Sequence, residues 1–245
     1  MLPPDGDRVA VAPAMTLGEV ALYATFAALV AGVGPLIAIE VRAGGFRAGM
    51  AGGLSAGMML GLAYPLMRDG LSTGATMATA GGVVVVLLLL LAHVAYDLDG
   101  ATFPTPGQAI RAAAVHAAPE GLALGVAGAL DARLGMVVAF TLALHNASEA
   151  VALTSQLGPA VERWRAVVLS VLTNVPQVAL GVAGFVLATA FPSVRPALLG
   201  ASAGPLVYLS LADLLPDAYR GAGRTAVSVA VIAATSMVAF AAALS

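Results

Sequence analysis

The sequence predicts an all-α, polytopic membrane protein of eight transmembrane helices with both termini outside. Three observations carry that prediction. Of 245 residues, 60% are hydrophobic and only 10% are charged, whereas a soluble domain carries about a quarter charged residues. The mean hydropathy is +0.96. Apolar stretches of the roughly 20 residues needed to cross a hydrocarbon core recur between charged or Pro/Gly-rich breaks.

Taken in order, the expected spans are residues 20–40, 46–67, 74–95, 110–130, 134–155, 166–191, 196–215 and 225–244. The first closes at Glu40, near Arg42, a residue expected at the interface. The second stops before Arg68 and Asp69. The third contains Val83 to Leu91 without a polar residue and is the most lipid-like. The fourth, fifth and seventh hold the polar residues and are rich in Gly and Ala, a composition suited to packing against other helices. Between the third and fourth, Tyr96 to Gln108 reads as a loop. Residues 1–19 read as a short polar tail rather than a signal peptide, since no basic start leads into an apolar run. Residues 20–245 then form one transmembrane domain.

The arginines orient this layout. With the N-terminus outside, the inner side holds Arg42, Arg47, Arg111, Arg163, Arg165, Arg220 and Arg224, and the outer side holds Arg8, Arg68, Arg133 and Arg195. Seven against four agrees with the positive-inside rule. Every basic residue is arginine, which points to a GC-rich bacterial genome and so to a bacterial inner membrane.

Several functions are excluded. A net charge of −2 offers nothing to nucleic acid. The absence of cysteine removes disulfides, thiolate metal sites and thiol catalysis. Without lysine there is no phosphate-cradling Gly-x-x-x-x-Gly-Lys-Ser/Thr loop, so no ATP-driven step is indicated.

The chemistry sits in a repeated pattern. His116-Ala-Ala-Pro-Glu120-Gly and His145-Asn-Ala-Ser-Glu149-Ala each place a histidine and a glutamate four residues apart in an apolar stretch. On a helix that spacing stacks both side chains on one face. Asp213 adds a third mid-span acid. Each charge near the bilayer centre costs at least about 2.5–3.5 kcal/mol, and no arginine lies at comparable depth to offset three carboxylates. A bound cation does. Carboxylates, imidazoles and the Asn146 amide suit Zn²⁺, Mn²⁺, Fe²⁺, Co²⁺ or Cd²⁺. The structural alternative is protonation, or hydrogen bonding to a neighbouring helix. Pro119 lies between the first His and Glu, where a proline frees a carbonyl and bends a helix beside a cavity. Pro176 and Pro216 are similar, or are plain packing kinks. Met58 and Met59 offer accessory thioether ligands, with packing as the simpler role, and Gln177 is a further accessory candidate. His93, at the end of the third span, reads as an interfacial residue.

These motifs resemble those of the ZIP family of divalent-metal transporters, whose fourth span carries a His-Asn-x-x-Glu-Gly motif and whose fifth carries His-x-x-x-Glu. The stretch from Gly200 through Val207-Tyr-Leu-Ser-Leu-Ala-Asp213 to Asp217 is similar to the family's seventh span. The resemblance covers nearly the whole chain and matches the eight-span, N-out, C-out topology. It implies a permease that moves Zn²⁺, or another divalent transition metal, toward the cytoplasm by an elevator-like movement. It needs no resident cofactor, only the metal ion and a lipid bilayer as partners, and it is compatible with a homodimer. Carried over, His116, Glu120, His145 and Glu149 form the primary site, with Asn146 and Asp213 in an adjacent second one. Two departures weaken that second site: Ala117 replaces the family's asparagine, and Ala63-Tyr64-Pro65-Leu66-Met67-Arg68-Asp69 lacks a histidine and a Pro-Glu pair.

Rival readings are an intramembrane metal-dependent hydrolase, a haem carrier with His116 and His145 as axial ligands, and a relative that binds metal without transporting it. The first lacks a His-Glu-x-x-His motif and a separate buried base.

Overall fold

The computed structural model describes residues 13–40, 45–96, 105–157 and 161–244. Among these residues every regular element is helical: α1 (Leu17–Val30), α2 (Val33–Glu40), α3 (Gly45–Tyr96), α4 (Pro106–Leu130), α5 (Ala132–Leu157), α6 (Arg163–Leu172), α7 (Val175–Ala190), α8 (Arg195–Leu209), α9 (Leu215–Ala222) and α10 (Arg224–Ala243). A π-turn, Ser210–Leu214, joins α8 to α9, and a short 3₁₀ turn, Pro192–Val194, precedes α8. Among the described residues seven helical stretches are long and apolar enough to cross a bilayer, so the chain is an all-α, multi-pass membrane protein. Of the expected segments, residues 1–12 of the tail, Arg42, and residues 97–104 of the loop lie outside the described residues.

Local sequence sets most of the helix ends. Thr16 and Glu19 form a capping box that starts α1, and Thr105 and Gln108 form another that starts α4. Ahead of α1, Met15 N–H donates to Gly128 O and Ala132 N–H donates to Pro13 O, so this strand of chain crosses the α4–α5 turn and buries Met15. Asp131 accepts from the backbone N–H groups of Arg133 and Leu134 and so starts α5. Gly223, at φ +78°, makes the turn between α9 and α10.

Two expected single spans are broken helices. The first is interrupted between α1 and α2 at Ala31 and Gly32, the sixth between α6 and α7 at Thr173 and Asn174. At the second break the Thr173 hydroxyl and the Asn174 amide both donate to Ser170 O, and Pro176 occupies the first turn of α7, where its missing N–H costs nothing. Pro119, by contrast, does not break α4, which runs helically past it.

The largest departure is at residues 68–73, expected as a loop and found helical. Ser72 and Thr73 hydroxyls turn back to Asp69 O within the helix. The 52 residues of α3 rise about 78 Å if straight, against a hydrocarbon core of roughly 30 Å. They are not straight. Gly74 has extended backbone (φ −177°, ψ 76°), and the packing reverses there. Before it, Gly49 faces Ala218 and Ala222, Ser210 donates to Ala56 O, and Gly70 faces Leu199, so this arm runs antiparallel to α8 and α9. After it, Gly74 faces Pro196 and Gly82 faces Gly200 and Gly204, so the second arm runs parallel to α8. On that second arm Val83, Val84, Leu87, Leu88 and Leu91 are exposed, as a lipid-facing surface requires.

Close contacts between small residues hold the bundle together. A methyl group on Gly121 would lie 2.0 Å from Gln177 O, and one on Gly125 would lie 2.1 Å from Gly181 O, so α4 meets α7 backbone to backbone. The fourth span is largely buried, as its Gly/Ala content predicts.

Gly200 faces α3 in the same way: an added methyl would stand 1.8 Å from Ala78 O. Gly200→Ala therefore forces the two helices apart and destabilises the fold by about 1–3 kcal/mol. Thermal unfolding in detergent should register a Tm several degrees lower. Gly107→Ala, whose methyl meets open space, should leave Tm unchanged.

Candidate metal centre

The repeated His-x-x-x-Glu pairs meet, but crosswise. His145 Nε2 on α5 lies 3.0 Å from Glu120 Oε1 on α4, and His116 Nδ1 on α4 lies 3.5 Å from Glu149 Oε1 on α5. The pair within one helix, His145 and Glu149, is longer at 3.8 Å. Two antiparallel helices that turn these faces toward each other place the histidine of one opposite the glutamate of the other. The spacing thus supplies the shared face and the helix pairing supplies the partners.

Asp213 reaches the same place from the π-turn. Its Oδ2 is 2.9 Å from His116 Nε2 and 3.2 Å from His93 Nε2. A π-turn adds one residue to the helical circuit and changes which face a side chain occupies, which is why such turns recur at functional sites. Ser210, at its start, donates to Leu206 O and Ala56 O. The result is a continuous row from His93 through Asp213, His116 and Glu149 to His145 and Glu120. Within it two groups bring three ligand atoms within 4.8 Å of one another: Glu120, His145 and Glu149, and His93, His116 and Asp213.

The orientation of His145 is chemically specific. Its Nδ1 lies 3.3 Å from Ser55 O, and a carbonyl only accepts, so Nδ1 carries the hydrogen. In the neutral ring Nε2 then presents a lone pair to the Glu120 carboxylate, which also has only lone pairs to offer. A proton or a metal ion between them resolves the repulsion. Backbone-anchored imidazoles of this kind are the usual companions of metal ligation. Two more acceptors are left over: Glu120 Oε2 and Asn146 Oδ1 are buried without a hydrogen-bond partner. Asn146 Nδ2 donates to Ala27 O and to Gln177 Oε1, tying α5 to α1 and α7 and leaving its oxygen as the free end. Gln177 is fully buried in that contact. Met58 and Met59 are buried in the main apolar cluster with Leu62, Leu142 and Leu209.

A cavity of about 680 Å³ leads to the row. Gln108, Gln156, Asp217 and Arg220 line it, as do His93, His116, Glu149 and Asp213, while Glu120 and His145 are buried behind them. Asp217 and Arg220 pair with each other at its exposed mouth. On the other side of the row Leu62, Leu66, Leu124, Leu142, Leu206 and Leu209 are fully buried and close the path. A second cavity at that far end is lined by Asp69, Thr73, Asp131 and Arg195 and contains none of the row.

His93 is the residue that sequence reasoning missed. The expected interfacial position is wrong: the side chain is 2% exposed and packs edge-on against Tyr208. The haem alternative fails on geometry, because the Glu149 carboxylate stands between His116 and His145 at 3.5 and 3.8 Å, where a porphyrin would have to lie.

A family model described as the ZIP zinc transporter matches residues 108–242, more than half of the chain. That stretch includes His116, Glu120, His145, Glu149 and Asp213 and excludes His93. A protein of Arabidopsis thaliana named "putative zinc transporter" is 27% identical over 237 residues, which cover 91% of this chain. The chain spans 38% of the length of that relative.

Glu120→Ala strips His145 of its carboxylate, and its cost should exceed the roughly 10–100-fold that outer partners of metal ligands contribute. Equilibrium dialysis of Zn²⁺ or Cd²⁺ against the detergent-solubilised protein reads that loss. Asp217→Asn, at the cavity mouth, should leave the affinity within about threefold of wild type, since its partner is an exposed arginine.

Proposed function

This chain belongs to the ZIP zinc transporter family, and on that premise we propose that it is a permease moving Zn²⁺ or a chemical neighbour (Cd²⁺, Mn²⁺, Fe²⁺, Co²⁺) into the cytoplasm. Members of the family are transporters, not enzymes. The observation that carries the reading is the row of three carboxylates and three imidazoles, buried except for half-buried Glu149 and Asp213 and without lysine or arginine among them, at the end of a cavity open at one side only. In this reading His116, Glu120, His145 and Glu149 hold the ion between α4 and α5. Asn146 and Asp213 are adjacent ligands, and Met58, Met59 and Gln177 serve as accessory groups.

The reversal at Gly74 supports counting α3 as two spans, eight in all, in a single domain that follows residues 1–19. Arg47, Arg111, Arg163, Arg165, Arg220 and Arg224 belong to the end where the large cavity opens, and Arg68, Arg133 and Arg195 to the other. By the positive-inside rule the open end is cytoplasmic, both termini are outside, and the conformation faces inward. The membrane is the cytoplasmic membrane of a bacterium, and a homodimer is the assembly the family suggests. Mixed N/O ligands without thiolate suit an ion that must both enter and leave. Two charges moving inward gain about 4.6 kcal/mol per 100 mV, so the membrane potential suffices as a driving force. For outward opening, the leucines beyond the row must part while the mouth closes, a relative movement of helix groups across small-residue contacts.

Uptake of Zn²⁺ and Cd²⁺ into proteoliposomes tests the proposal. Wild type should give saturable flux, and Glu149→Ala and His116→Ala should abolish it. No flux from folded, inserted wild-type protein with Zn²⁺, Cd²⁺, Mn²⁺, Fe²⁺ or Co²⁺ would overturn transport in favour of metal binding alone.

A further inference from the structure

We propose that Ser55 is a positioning residue for the metal centre: two hydrogen bonds tie it to His145 where the cavity ends and the leucine seal begins, and the tie must break when the ion is carried to the other side. The inference rests on the transport reading.

The tie is reciprocal. His145 Nδ1 donates to Ser55 O at 3.3 Å, and the Ser55 hydroxyl donates to His145 O at 3.3 Å. Both residues are fully buried. A hydroxyl within a helix has a nearer acceptor, the carbonyl one turn back, and Ser148, Thr154 and Ser202 all use it. Ser55 reaches across to another helix. The next two carbonyls of α3 are also taken by hydroxyls from elsewhere, Ala56 O by Ser210 and Gly57 O by Thr235. Those two bonds hold α3 to the π-turn and to α10, whereas the Ser55 bonds hold it to α5.

That difference follows a division of the bundle into two sets of helices. Glycines pack α1, α2 and α4–α7 among themselves, as Gly34 does against Ala147 and Gly121 against Gln177. They likewise pack α3, the π-turn and α8–α10, as Gly57 does against Val231 and Gly81 against Ala197. Among the described residues no glycine has its nearest neighbours in the other set. The cavity lies between the sets, with Gly49, Gly52 and Asp213 on one wall and His116, Glu149 and Ala152 on the other. The seal draws on both as well, Leu62, Leu66 and Leu206 from one set and Leu124 and Leu142 from the other. Along α3 the tie falls between Gly52 and Leu62, and along α5 between Leu142 and Glu149. It marks the level at which one set shifts against the other when the cavity closes and the leucines part. The tie therefore stabilises the cavity-open state, and it fixes the ring of His145 as a ligand in that state.

Cysteine reporters in the full chain test the tie apart from transport, because the sequence has no cysteine of its own. In detergent, N-ethylmaleimide should label Leu66→Cys, in the seal, about two- to tenfold faster once Ser55→Ala removes the hydroxyl bond, the change in population that one hydrogen bond supports. Leu206→Cys serves as the seal reporter where Leu66→Cys fails to fold. Ser170→Cys, buried on α6 within one set, should label at the same rate with and without Ser55→Ala. Unchanged labelling at the seal, or labelling that rises alike at the seal and at Ser170→Cys, would overturn the tie and leave Ser55 a packing residue. Failure of wild-type flux with the labelling as expected would instead reject transport and leave the tie standing.

Discussion

Everything in this molecule is arranged around lone pairs that face lone pairs. At His145 and again at His93, a backbone carbonyl takes the Nδ1 hydrogen and turns Nε2 toward a carboxylate. Between His145 and Glu120, both buried behind the cavity, the conflict is costly because solvent is not there to relieve it. With three carboxylates and no fixed cation in the row, the site is a standing demand for positive charge. A protein that kept such a demand merely for packing would do better with apolar residues of the same size.

Meeting that demand requires side chains from four helical stretches to arrive together, and the fold achieves this with faults in its helices. The π-turn brings Asp213 round to the row. The reversal at Gly74 returns the chain so that His93 and Ser55, from opposite arms of α3, reach the same centre from two sides. Breaks in the α1–α2 and α6–α7 spans lie beside α5, where Asn146 is tied to Ala27 and Gln177. Glycine contacts between α4 and α7 and between α3 and α8 allow backbones to meet where side chains would hold them apart. The cavity end is open and polar, while the far end is sealed by leucine. That asymmetry is what the proposed alternating access requires of one of its states.

The sequence carried some of this plainly. Two His-x-x-x-Glu repeats in apolar stretches put His116, Glu120, His145 and Glu149 on helix faces, and the third-span run from Val83 to Leu91 announced a lipid-facing surface. The crosswise pairing was not legible, because helix spacing says which side chains share a face and not which face they meet. His93 was hidden by position: at the end of an apolar run, next to Tyr96 and Asp97, it looks like an interfacial residue, and only the hairpin carries it inward. The one available signal was scarcity, since a chain with three histidines uses all of them here. Arg68, Asp69 and Gly70 suggested a loop, yet the helix continues to Thr73 with the Ser72 and Thr73 hydroxyls bonded back to Asp69 O, and the turn falls at Gly74. Pro119 misled in the other direction, since α4 absorbs it without a break.

The most direct measurement is the zinc K-edge X-ray absorption spectrum of the zinc-loaded protein. The account predicts a first shell of nitrogen and oxygen at about 2.0–2.2 Å, with the outer scattering of imidazole rings, which weakens in His145→Ala. A hydrated ion with no imidazole signature would contradict it.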